Sequence, residues 1–206
     1  MSATLRPPLF FAAALTAIVT VVRLVGERAG GPAWVFGREA GGGAALVGIG
    51  WLIPVFGAWF GHRLARAGDG PADLRRALQL VFGALLGVVV VFLVAKVLLP
   101  VTLATFVFVA LALPALAILA VLAWPALARA LFVYAVLARA PVIALTVVAV
   151  RSVWGTHFEQ LAPGAPPMTD FGRTVVLCCA QVCLWIPLTM LVGALAGLLA
   201  AMRVQR

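Results

Sequence analysis

Residues 97–128 read VLLPVTLATFVFVALALPALAILAVLAWPALA, thirty-two positions without a single charge. Roughly 20 apolar residues cross the ~30 Å hydrocarbon layer of a bilayer. The stretch is therefore longer than one span needs, and Pro100 and Pro125 mark turns at its two ends. It predicts a membrane helix over 101–123, joined by tight connections to a helix before it (78–99) and one after it (128–150). Connections this short make neighbouring helices antiparallel and adjacent.

Outward from this core the same pattern recurs. Apolar blocks place further helices at 8–26, 42–62 and 174–201. The chain is 65% hydrophobic with mean hydropathy +1.19, outside the range of a water-soluble domain. The expectation is an all-α membrane protein: one domain, 1–206, built as a bundle of six transmembrane helices. Several of these are proline-kinked, and the two longer loops, 27–41 and 151–173, lie on the external face. No small-x-small cleavage triplet falls between Ala17 and Glu27, so the first helix is read as an uncleaved span rather than a signal peptide.

The formal charge of +9 rests on arginines near helix ends. There they orient the chain and meet anionic headgroups, and they form no basic domain for nucleic acid. With the N-terminus inside, eight cations fall on the cytoplasmic side (Arg6, Arg63, Arg66, Arg75, Arg76, Arg129, Arg203, Arg206) against six outside (Arg23, Arg28, Arg38, Lys96, Arg151, Arg173). Both termini are thereby expected in the cytoplasm. The richness in Arg, Ala and Gly and the lack of Asn fit a GC-rich bacterial genome, hence a bacterial inner membrane.

Arg139 is the most informative polar residue. It is twelfth of 23 in the expected helix 128–150, at the bilayer centre, where a charge costs ~3 kcal/mol on insertion scales. No acidic residue lies in the core of any expected helix. Its partner must come from backbone carbonyls, a loop carboxylate dipping inward, a lipid phosphate or an anionic ligand. Gln181 in the last helix is the polar side chain expected to bond a neighbouring helix. Pro54, Pro114, Pro141 and Pro187 are each expected near a helix centre, freeing the carbonyls of Gly50, Ala110, Leu137 and Cys183. Transporters build midplane sites from helices interrupted in this way.

Three small-residue pairs predict close helix packing: Gly57 with Gly61, Gly83 with Gly87, and Gly193 with Gly197. They serve either packing within the bundle or a homo-oligomer seam. In the second long loop, Trp154-Gly-Thr-His157-Phe-Glu159 is chemically mixed. His157 and Glu159 suit a base and its partner, while Trp154 and Phe158 suit anchoring at the headgroup level. Arg38 and Trp34 in the first long loop join this surface. Cys178, Cys179 and Cys183 lack zinc-type spacing, and no metal site or cofactor is expected. Zinc, serine and aspartyl intramembrane-protease patterns are absent from the sequence.

The segments Arg23-Leu-Val-Gly-Glu27, Arg38-Glu-Ala-Gly-Gly-Gly43, Trp51-Leu-Ile-Pro54 and Trp154-Gly-Thr-His157 together resemble segments of uncharacterised six-helix bacterial membrane proteins. The resemblance implies no activity. The favoured functional reading is an accessory or assembly subunit acting through helix and loop contacts, with membrane lipids and a membrane-protein partner or second copy as partners and no nucleic acid. The alternative is a small transporter, channel or lipid- or anion-binding protein with a midplane site around Arg139. A third is a membrane enzyme using the 154–159 loop.

Overall fold

The computed structural model describes residues 5–42 and 45–204, and among these there are helices and turns but no strand. Six helices follow in order: α1 (Arg6–Arg28), α2 (Leu52–Arg66), α3 (Leu74–Val97), α4 (Leu103–Ala123), α5 (Pro125–Ser152) and α6 (Asp170–Met202). Five of them, all except α2, are long and apolar enough to cross a membrane. With 15 residues, α2 is only about 22 Å long at 1.5 Å per residue. Large apolar side chains such as Phe10 and Leu111, each 70% exposed, cover the outside. Such a surface belongs in lipid, and the chain is a membrane protein.

The helix ends follow local chemistry. Asp73 caps α3 by accepting from the Arg76 amide at 3.0 Å, and Thr102 caps α4 by accepting from the Thr105 amide at 3.3 Å. Pro7 and Pro8 open α1 and Pro125 opens α5, in the first turn where a missing N–H costs nothing. The largest departure from the sequence reading is the second helix, expected at 42–62 but found from Leu52 to Arg66. Residues 43 and 44 of that expected helix lie outside the described residues. Glycine costs ~1 kcal/mol per helical position, and Gly48 and Gly50 precede the helix. The chain there instead lies against the first loop, with the Leu46 and Val47 amides donating to the Trp34 and Val35 carbonyls at 3.2 and 3.0 Å.

One of the four prolines is likewise not central. Pro54 is the third residue of α2, within its first turn. Pro187 does lie near the middle of α6, just after a π-helical turn, Gln181–Trp185, that interrupts the helix. That turn is closed by the Ile186 amide donating to the Gln181 carbonyl. The sequence reading expects one helix at 174–201 interrupted at Pro187; the widened turn just before that proline adds a residue to its path. Pro114 and Pro141 do lie inside α4 and α5.

Packing centres on α2 against α6. A Cβ on Gly57 would lie 2.5 Å from the Gly193 Cα, and one on Gly61 would lie 2.5 Å from the Gly197 carbonyl oxygen. These two glycine pairs meet backbone to backbone, the contact that substitutes for the missing hydrophobic drive between helices in lipid. Gly87 approaches the Leu116 side chain, whereas Gly83 has no neighbour within 4 Å on its open face. Beside this seam Phe56 and Phe60 hold the Tyr134 ring edge-on at 5.3 and 5.9 Å, and the Tyr134 hydroxyl meets the Thr16 hydroxyl at 3.0 Å. At one end of the bundle the Trp124 indole donates to the Asp69 carbonyl at 2.8 Å, tying the α2–α3 turn to the start of α5. At the other end the two long loops meet, and the polar groups collect there.

Candidate functional site

The last turns of α1 carry Arg23 and Glu27, one helical turn apart and both turned inward. The Arg23 Nε donates to Glu27 Oε1 at 2.7 Å. Another guanidinium nitrogen of Arg23 donates to the Gly37 carbonyl at 2.6 Å, holding the first long loop over the helix end. Arg38 adds a hydrogen bond to the Glu27 main-chain carbonyl. From the second long loop His157 brings Nδ1 to 2.5 Å from Glu27 Oε1 and its main-chain N–H to 2.9 Å from Glu27 Oε2. One buried carboxylate thus joins α1 to the loop after α5, 130 residues away along the chain.

The sequence pairs His157 with Glu159; the structure pairs it with Glu27. The Glu159 carboxylate turns back on its own loop and accepts the amides of Trp154 (3.0 Å), Gly155 and Thr156 (3.2 Å). It thereby closes the short 3-10 turn His157–Glu159 and aims His157 at α1. Trp154 gives its carbonyl to Arg28 at 3.4 Å and its ring lies 5.7 Å below the Arg28 guanidinium. Arg38 and Trp154 accordingly pin the loops.

Arg139 lies in α5 and is 5% exposed. Its guanidinium stacks over the Trp185 ring at 4.8 Å and makes a long contact of 3.4 Å to Gln181 Oε1. Both partners belong to the π-helical turn of α6, the kind of widened turn often found at functional sites. The Arg139 Nε has no hydrogen-bond partner among the described residues, although it is buried. A buried donor left unpaired costs about 1–3 kcal/mol, more when charged.

These groups share one cavity of about 660 Å³. Its walls come from α1 (Thr20, Arg23), α5 (Arg139, Val142, Thr146), α6 (Gln181, Leu184, Trp185, Leu188), the segment before α2 (Gly48, Ile49, Trp51) and the loop around His157 and Phe158. Phe92 and Phe106 reach in from α3 and α4. The lining is mainly apolar, with two guanidiniums, one imidazole and no Asp or Glu among the described residues. Burial lowers the His157 pKa below its usual value; the hydrogen bond to Glu27 opposes this and the charge of Arg23 adds to it. The ring is neutral at pH 7.

Sequence reasoning identifies Arg139, Gln181 and His157, and the structure brings all three to this cavity. It misses Glu27, read as a loop residue, and Arg23, counted among the cations on the outer side. The signal for both was the Arg-x-x-x-Glu spacing at a helix end, which lets an acid and a base neutralise each other on one face. Cys178, Cys179 and Cys183 are free thiols on α6. Among the described residues no three His, Cys, Asp or Glu side chains converge as metal ligands. No family model matches this chain, and comparison with curated proteins and with solved structures gives no match.

Proposed function

We propose that this chain binds an anionic amphiphile, one apolar chain with a phosphate or carboxylate headgroup, in the cavity between α1, α5 and α6. The observation that carries the reading is the buried Arg139 guanidinium, whose Nε faces no protein acceptor on a wall without carboxylates. Arg23 and Glu27 cancel each other, and with His157 neutral Arg139 leaves the site one positive charge in excess. A volume of about 660 Å³ falls within the range of small-molecule sites, and apolar walls around a few placed polar groups are their usual make-up. The bacterial inner membrane, with the Arg-rich turn between α2 and α3 facing the cytoplasm, is the setting this reading assumes. The scaffold reading leans on the glycine faces, and four of those six glycines are occupied by α2–α6 packing within this chain.

The test is native mass spectrometry and equilibrium binding of the full chain with monoacyl phosphatidylglycerol, palmitate and monoacyl phosphatidylcholine. The two anions should bind and the zwitterion should not, and the preferred anion identifies the headgroup. Arg139→Leu should weaken anion binding by about 10- to 150-fold, the value of a charge-assisted hydrogen bond of roughly 1.5–3 kcal/mol. Equal binding of all three lipids, or an Arg139→Leu variant that binds as wild type does, refutes the reading.

A further inference from the structure

The cavity contains more than a binding function requires. A buried carboxylate at Nδ1 fixes the imidazole tautomer and orientation and leaves Nε2 as the basic nitrogen. Glu27 occupies that position on His157 through Oε1, which also accepts from Arg23 Nε at 2.7 Å, while its Oε2 accepts the His157 amide at 2.9 Å. The histidine so oriented lines the same cavity as Arg139. The unpartnered Nε of Arg139 supplies a fixed donor in a mainly apolar cavity, where a developing oxyanion gains most from a placed donor. The lining offers no serine, cysteine or carboxylate nucleophile among the described residues.

We propose that this cavity is a reaction site in which His157, positioned by Glu27, acts as general base on water to hydrolyse a carboxylic ester of an anionic amphiphile, with Arg139 receiving the negative charge. The proposal rests on the binding reading above. Nε2 takes a proton from water as the water oxygen bonds to the acyl carbon, and the carbonyl electron pair moves onto oxygen beside Arg139. The bond from acyl carbon to alcohol oxygen then breaks, and the imidazolium returns its proton to the leaving oxygen. One ester and one water give one carboxylic acid and one alcohol, with no further reactant. Because burial keeps the ring neutral at pH 7, it is ready to accept the proton. His157 and Arg139 are the catalytic residues and Glu27 is a positioning residue.

The experiment uses the full chain in detergent micelles with monoacyl phosphatidylglycerol as the probe, in water enriched in oxygen-18. Probe binding and released fatty acid are both measured by mass spectrometry. Wild type should bind the probe and release fatty acid carrying one oxygen-18 atom in its carboxylate. His157→Gln should bind it within about twofold of wild type while turnover falls by about 10²- to 10⁴-fold, the usual contribution of a general base. Glu27→Gln should lower kcat with KM unchanged and move the acidic inflection of the pH–rate profile to lower pH, because the Glu27 hydrogen bond raises the His157 pKa. A purely structural Glu27 would leave that inflection in place. Bound probe without fatty-acid release by wild type, or full turnover by His157→Gln, overturns the proposal while leaving the binding site standing. Absence of probe binding by wild type overturns both.

Discussion

Gly61→Ala probes one of the two backbone-to-backbone contacts between α2 and α6. The added Cβ would stand 2.5 Å from the Gly197 carbonyl oxygen and 2.7 Å from its carbonyl carbon, against 3.4–4 Å for ordinary van der Waals contact. Both opposing atoms are backbone and cannot rotate away, so α2 and α6 must separate locally by about 1 Å. Overpacking of this kind costs about 1–3 kcal/mol. The control is Gly83→Ala on α3, where nothing lies within 4 Å of the new Cβ. There the only effect is the helix preference for alanine over glycine, so stability should rise by up to about 1 kcal/mol. The two substitutions add the same methyl group to helical glycines and should act with opposite sign. Reversible unfolding of the purified chain in mixed micelles, titrated with SDS, reads both as shifts of the midpoint. If Gly61→Ala is neutral or as stabilising as Gly83→Ala, the backbone contact between α2 and α6 is not what holds them together.

Three further outcomes follow from other parts of the structure. The His157 pKa lies below its ordinary value, so on acidification the unfolded chain takes up this proton first; stability should be complete above about pH 6.5 and decline as pH falls toward the folded value, and His157→Gln should flatten that slope in thermal unfolding measured between pH 7 and 5. Val153 ends α5 in the left-handed conformation at φ 49°, a costly one for a β-branched residue, and it is 79% exposed; Val153→Gly should raise the SDS midpoint by an amount equivalent to about 1 kcal/mol, and a loss would show that its side chain contributes more than its backbone strains. Trp185→Leu removes the ring under the Arg139 guanidinium and should lower stability by about 0.5–2 kcal/mol in the same titration, with Arg139→Leu and the double variant completing a cycle that isolates the pair.

The apolar spans were legible because composition alone decides them: Leu103–Ala123 is long and apolar enough to cross a membrane, although its start, expected at 101, is set by the Thr102 cap. The inward placement of Arg139 was legible for the same reason, since an unpaired charge in mid-span has few alternatives. The start of α2 was not, because hydropathy counts glycine as neutral while helix formation penalises it, and the run before Leu52 is rich in glycine. The π turn at Gln181–Trp185 has no local sequence mark beyond the following Pro187. The His157–Glu27 pair joins residues 130 apart, and the nearby Glu159 offered a simpler partner that the loop uses to close itself.

The Glu27 junction also imposes an order on biogenesis. Arg23 and Glu27 leave the ribosome in the first helix, already one turn apart and able to neutralise each other while α1 enters the bilayer. Their histidine partner is encoded 130 residues later, which at ~5–20 residues per second means a wait of roughly 7–26 s. During that interval every helix through α5 has been made, yet the wall contributed by the second loop does not exist. The cavity is therefore complete only once the second loop and α6 have been made, and a chain truncated before residue 157 would hold its first five helices and still lack the site.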